Sequence, residues 1–183
     1  MLKYALLGFL SYQPQTGYEL KQVIDQSVQY FWQAKQSQIY RTLKALEAEG
    51  LVASHVEAQE SRPDRRVYAI TAAGEAALDS WLREPSTELS THKDPLLLKV
   101  FFSARGDKEA LLTQLRLQRD MRQRQAELYQ GEARAVIAQQ AASAPHLADD
   151  ARLWEATRRF GELFEEMYLR WLDETIALVE EVF

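Results

Sequence analysis

"QIYRTLKALEAEGLVASHVEAQESRPDRRVYAIT", residues 38–71, holds two periodicities in one stretch. Ile39, Leu43 and Leu46 recur at helical spacing, and Gly50 follows the last turn, where a left-handed C-terminal cap is expected. The period then changes. "LVASHVEA" reads as a strand, "QESRPD" supplies turn chemistry, and "RRVYAIT" reads as the returning strand. Either Val67 and Ala69 or Tyr68 and Ile70 hold this hairpin on the core. At about 100° per residue, the helix face opposite the apolar stripe is Ser37, Arg41, Lys44 and Ala48, flanked by Gln38 and Tyr40. That face carries no acid before Glu47 and Glu49.

Before this stretch, "LKYALLGFLS" (2–11) is apolar enough for a buried helix, and the proline of "YQPQ" stops it. Thr16 with Glu19 forms a capping box, so a second helix starts there and turns Leu20, Val23 and Ile24 inward. After the stretch, Thr71 opens "AAGEAALDSWLRE". Three helices, a two-strand hairpin and a further helix make a winged helix-turn-helix pattern. In such a unit the second helix of the turn motif enters the DNA major groove, and the wing reaches the neighbouring backbone or minor groove.

"PSTELSTHK" (85–93) is a polar connector and the best boundary. The expected division is a winged domain at 1–84, a linker at 85–93 and a helical domain at 94–183. Asp94-Pro95 starts a helix with a capping acid and a proline at its first position. Gly106-Asp107 ends it and caps a long helix to about residue 141; "SAPH" precedes a final helix over 147–182. That last helix shows near-heptad spacing of large side chains: Leu153, Phe160, Phe164, Met167, Trp171 and Leu178. Residues 107–141 offer little matching surface, chiefly Leu112, Leu115, Ala126, Tyr129, Val136 and Ile137, so a second subunit is expected on the seam. The fold class is therefore mainly α with a small β-hairpin: an N-terminal winged helix-turn-helix and a C-terminal helical dimerisation domain.

The net charge of −5 argues against nucleic acid only as an average. Residues 1–83 carry nine Lys/Arg and nine Asp/Glu, while residues 84–183 carry thirteen and eighteen, so the deficit lies in the second half. The absence of cysteine excludes disulfides and thiolate chemistry and fits a reducing cytoplasm. No apolar run is long enough to span a membrane, and "MLKYALLGFLSYQPQ" lacks a small-residue cleavage site, so it reads as a mature helix. His55, His92 and His146 are far apart, which gives no metal site, and no cofactor motif or catalytic constellation is present. The adjacent acids Asp149-Asp150, Glu165-Glu166 and Glu180-Glu181 read as solvated helix faces.

Four segments, "ALLGFLSYQPQTGYELK" (5–21), "QIYRTLKALEAEGLV" (38–52), "RPDRRVYAITAAGEAALDSWL" (62–82) and "DPLLLKVFFS" (94–103), together resemble the PadR family of bacterial transcriptional regulators. The helical tail is similar to the virulence-activator type C-terminal domain of longer members. The resemblance implies a homodimer on a pseudo-palindromic operator in double-stranded DNA, usually as a repressor. It also implies tail helices that dimerise and, in some members, release from DNA by a small aromatic or hydrophobic compound.

The candidate DNA contacts are Arg41 and Lys44 on the outer face of the recognition helix, with Gln36, Ser37, Gln38 and Tyr40 near its start. Amides at a helix start favour phosphate, and glutamine can bond adenine edges; which of these residues reads a base stays open. Tyr18 and Lys21 on the preceding helix and Arg62, Arg65 and Arg66 on the wing are candidates for backbone contact. Trp32, Phe101, Phe102 and Trp154 are the candidates for an effector site, against a reading as ordinary core. The rival function is a winged-helix adaptor that binds protein and no DNA.

Overall fold

The computed structural model describes residues 1–28, 31–58, 64–89 and 93–182. Two compact units, Met1–Leu89 and Ser90–Phe183, divide the chain. Arg62, Pro63 and His92 lie outside the described residues.

In the first unit, helices α1 (Leu2–Tyr12), α2 (Gly17–Ser27) and α3 (Gln36–Ala48) pack around one apolar core. Leu6, Leu7 and Leu10 come from α1, Leu20 and Ile24 from α2, and Ile39, Leu43 and Leu46 from α3. The capping box at α2 is complete: Thr16 Oγ1 accepts the Glu19 N–H at 3.2 Å, and Glu19 Oε2 accepts the Thr16 N–H at 2.7 Å. Gly50 sits at φ 71°, a conformation that side-chain-bearing residues rarely adopt. The Leu51 N–H reaches Leu46 O at 2.9 Å and the Gly50 N–H reaches Glu47 O at 3.0 Å, the paired bonds of a Schellman end. That end fixes where the chain leaves α3 for the sheet.

Strands β2 (Val52–Glu57) and β3 (Arg65–Ile70) pair antiparallel, with Val52 opposite Ile70 and Glu57 opposite Arg65. Here the structure extends the sequence reading. A third strand, β1 (Gln15–Thr16), pairs with the other edge of β3, with Gln15 opposite Tyr68 and Thr16 opposite Val67. Two residues are too short for an alternating pattern to announce them, yet they cover an edge that would otherwise be open. Tyr68 joins the core and Ile70 packs against it, while Val67 is also buried. Helix α4 (Ala72–Arg83) starts at Thr71, whose hydroxyl accepts the Gly74 N–H at 3.1 Å. Trp81 of α4 stacks on Tyr4 of α1, with centroids 4.7 Å apart and planes 5° from parallel.

In the second unit, Asp94 caps α5 (Pro95–Phe102) by accepting the Leu96 N–H at 2.7 Å. Asp107 does the same for α6 (Lys108–Leu128) at Ala110. The expected long helix runs without a break from Lys108 to Ser143 but is not uniform in type. A π-helical turn at Tyr129–Ala133 joins α6 to α7 (Arg134–Ser143). Helix α8 (Ala148–Val182) returns along α6, burying Leu111, Leu112, Leu115, Tyr168, Leu172 and Val179.

The inward face of α8 departs from expectation. Its buried residues, Ala151, Arg158, Glu165, Leu172 and Val179, recur every seven residues, with Gly161, Tyr168 and Thr175 between them. Glu165 is therefore not on a solvated face as its pairing with Glu166 suggested; it is 3% exposed and bonds Arg122 Nη1 at 3.0 Å. Burial pushes its carboxyl above the usual carboxylate range, against the pull of Arg122. Arg158 is buried too, donating to Tyr129 O at 2.9 Å and to both Glu155 and Glu162. Of the expected seam, Leu153, Phe160, Met167 and Leu178 are exposed in this single chain, and Phe164 and Trp171 pack on the unit's own core.

Candidate nucleic-acid interface

The first unit presents α3 outward over its N-terminal turns. Gln36, Ser37, Gln38, Tyr40, Arg41 and Lys44 are all exposed, and Ile39, Leu43 and Leu46 anchor the opposite face. A helix so anchored along one side can enter a groove without deforming. Arg41 and Lys44 make no ion pair among the described residues. Their charges are available to phosphates or base edges.

Tyr40 has two relations at once. Its ring lies over Gly17, where an added Cβ would stand 2.6 Å from Tyr40 Cε1. The residue is nonetheless 43% exposed. It therefore packs closely on the start of α2 and leaves part of its surface to solvent. A side chain at Gly17 would push the Tyr40 ring from this position.

The other candidate cations among the described residues, Lys21, Arg65 and Arg66, are held by acids. Lys21 forms an ion pair with Asp25 one turn along α2. Arg65 pairs with Glu57 across the hairpin at 2.7 Å and approaches Glu19 of α2 at 3.7 Å. Arg66 reaches Glu47 of α3 at 3.5 Å and Ser54 Oγ at 3.3 Å. The Arg65 guanidinium, followed by His55, holds the Glu57 carboxyl below its ordinary value. Both arginines brace the wing against the helices while staying about half exposed, at 46% and 53%. Tyr18 is exposed, and its hydroxyl accepts from Gln22 Nε2 at 3.2 Å.

Sequence reasoning missed Lys3. It stands beside α3, paired with Glu49 at 3.3 Å, on the rim of a cleft of about 360 Å³. Gln38, Arg41 and Thr42 line the same cleft over Ala45 and Leu46. No periodicity in α1 marks Lys3 as a neighbour of Arg41; only the packing of α1 on α3 does.

The effector candidates are not gathered by either unit. Trp32 belongs to the first unit and is partly buried. Phe101 and Phe102 belong to the second, exposed and edge-to-face at 5.0 Å, and Trp154 lies partly buried on α8. No group of three or more metal-ligating side chains occurs among the described residues. No helix among them is long and apolar enough to cross a membrane.

Comparison with known proteins agrees with this geometry. The transcriptional regulator PadR-like family matches residues 6–80, and the virulence activator alpha C-terminal family matches residues 92–180. A probable transcriptional regulator of Mycobacterium tuberculosis is 34% identical over 98% of this chain and 98% of its own. The chain belongs to the PadR-like family of transcriptional regulators. Among solved PadR structures, that of Bacillus subtilis PadR in complex with operator DNA superposes with a TM-score of 0.83. It is 27% identical and the match covers 97% of each chain. The same PadR in complex with p-coumaric acid gives 0.76 at 26% identity, over 98% of this chain and 99% of that one.

Proposed function

We propose that this PadR-like protein is a homodimeric, sequence-specific DNA-binding repressor working in the cytoplasm. Each α3 enters a major groove, and the β2–β3 wing lies over the flanking backbone. Two such helices engage half-sites about 34 Å apart, one turn of duplex. Arg41 and Lys44, exposed and without an ion pair among the described residues, on a helix anchored by Ile39, Leu43 and Leu46, carry this reading. Full-length similarity to an operator-bound PadR supports it. We assign the chain no catalytic role.

Leu153, Phe160, Met167 and Leu178 form an exposed apolar stripe along α8 that a second subunit would cover. Phe164 and Trp171, packed beneath it, would support that interface from within. The p-coumaric acid complex of the Bacillus relative supports an aromatic effector for this chain as well. Such a compound releases DNA only by binding the DNA-incompetent arrangement more tightly.

Fluorescence anisotropy on the chain's own upstream DNA and on a scrambled duplex, at about 50 and 200 mM salt, tests the reading. The upstream duplex should bind more tightly and lose affinity steeply with salt. Arg41→Ala/Lys44→Ala should weaken binding to the upstream duplex, losing preference where a side chain meets a base and lowering the salt slope by about one unit for each side chain that neutralises a phosphate. Equal binding of variant and wild type to both duplexes would return the molecule to the adaptor class.

A further inference from the structure

Arg65 and Arg66 are neighbours on β3, and alternation sends them to opposite faces of the sheet. Arg65 stands opposite Glu57, which takes its Nε and Nη2 at 2.7 Å. Arg66 shares its face with Tyr68, which joins the core, and with Ser54, the partner of Tyr68 on β2. On that face Glu47, from the last turn of α3, reaches both strands. It accepts the Ser54 hydroxyl and pairs with Arg66 at 3.5 Å. Arg66 also donates to Ser54 Oγ at 3.3 Å. The three side chains close a triangle between the recognition helix and the wing.

Both contacts of Arg66 fall on one nitrogen, Nη1. In a guanidinium, Nε and Nη2 make the parallel pair of donors that grips a carboxylate or a phosphate with two bonds. Glu57 fills that pair in Arg65. In Arg66 the pair has no partner among the described residues, and the side chain is 53% exposed. A phosphate can therefore seat on the Arg66 fork without displacing Glu47 or Ser54. Holding a long side chain in place beforehand removes an ordering cost of about two- to tenfold in affinity.

We infer that Glu47 is a positioning residue for DNA binding: with Ser54 it holds Arg66 by one nitrogen, so that the open fork meets a backbone phosphate beside the groove that α3 enters. This rests on the DNA-binding reading and adds to it the tie between the wing's grip and the recognition helix. Glu47 acts through Arg66, since its own charge repels phosphate. Its effects as an acid and as a brace have opposite signs, which makes them separable.

The test uses the full chain and a duplex selected from a randomised library, titrated by anisotropy at about 50 and 200 mM salt. Arg66→Ala should weaken binding and lower the salt slope by about one unit, the signature of one lost phosphate contact. Glu47→Ala should weaken binding by about two- to tenfold although it removes a negative charge. Glu47→Gln keeps an oxygen for Ser54 and Arg66 and should recover part of that loss. In the Arg66→Ala background, Glu47→Ala should no longer weaken binding, a coupling of at least about twofold. Ser54→Ala leaves both charges in place and should move affinity in the same direction as Glu47→Ala. Circular dichroism of each variant establishes that the fold is intact. Tighter binding by both Glu47 variants would overturn the inference and leave Glu47 a repelling charge. An equal loss from Glu47→Ala with and without Arg66 would overturn it in favour of a role confined to the end of α3. An unchanged salt slope in Arg66→Ala would remove the phosphate contact and the inference with it, while the DNA-binding reading stands. No binding of the wild type to any duplex would overturn that reading as well.

Discussion

Leu6, Leu7, Leu10, Leu20, Ile24, Ile39, Leu43 and Leu46 lie at 2% exposure or less at the centre of the first unit. Along α8 in the second unit, the corresponding inward positions include Arg158, Gly161, Glu165 and Thr175, while Leu153, Phe160 and Met167 face out. The first unit centres on an all-apolar core and exposes cations on α3. The second encloses charges and leaves apolar side chains uncovered. A core of the first kind is complete in one chain and can hold a reading helix steady. A helix of the second kind fits a molecule whose apolar surface is finished by another subunit. Gly161 shows how closely the inward face is fitted, since an added Cβ would stand 2.4 Å from the Tyr129 ring.

The largest effect should come from replacing one inward residue of each kind while keeping its volume. Leu43→Met retains an apolar chain of similar size and should cost less than about 1.5 kcal/mol. Arg158→Met also fills its space but leaves the Tyr129 carbonyl and the carboxylates of Glu155 and Glu162 without the guanidinium. Its cost should be about 3 kcal/mol, the low end for a broken buried pair. Glu162 keeps Arg159 at 2.8 Å, and Glu155 is 42% exposed to water. Urea unfolding of the full chain at fixed concentration measures both. Equal costs would mean that the charged interior is as tolerant as the apolar one, and the contrast between the units would fail.

The first unit was legible because its chemistry is local. Thr16 and Glu19, Gly50, and the alternation after Leu51 each declare an element within a few residues. The exposed face of α3 followed from the positions of Ile39, Leu43 and Leu46 alone. The second unit hid its interior because burial of a charge depends on distant partners. Nothing near Glu165 in the sequence names Arg122, which is 43 residues away, and nothing near Arg158 names the Tyr129 carbonyl. A seven-residue repeat of Ala, Arg, Glu, Leu and Val does not look apolar, so the larger residues beside it drew the seam outward. At the interface, the pairing of Arg65 and Arg66 with acids was equally invisible, since Glu19 and Glu47 come from other helices.

A smaller effect separates the two kinds of carboxylate within α8. The Glu155 carboxyl is held below its ordinary value chiefly by Arg158, and that of Glu162 chiefly by Arg159. Both contribute stability above the unfolded value near 4.5, and this is lost as pH falls through their folded values. Glu165 has the opposite sign. Its raised value means that ionisation costs the folded state, so stability declines as pH rises from the unfolded value of 4.5 through the folded one. Glu165→Gln removes that titration and keeps an oxygen for Arg122. Relative to wild type, its melting temperature should improve more at pH 7 than at pH 4. A constant difference at both pH values would show that Glu165 titrates as an exposed glutamate does.

The smallest expected effect lies on the wing and concerns the exposed charges of the first unit. Glu57 holds the Nε and Nη2 fork of Arg65 at 2.7 Å, so a phosphate that takes the same fork must displace it. An exposed pair of this sort contributes little to stability, so displacing it on binding subtracts only slightly from affinity. Glu57→Gln weakens the pair without shortening the side chain, and operator binding should tighten by up to about fivefold at low salt. The gain should shrink at higher salt, where exposed pairs are screened. Arg65→Ala in the Glu57→Gln background should erase it, which ties the gain to this arginine and not to net charge. If Glu57→Gln instead loosens binding, the pair is a brace that sets the wing's position, and the neighbouring approach of Arg65 to Glu19 at 3.7 Å belongs to the same brace.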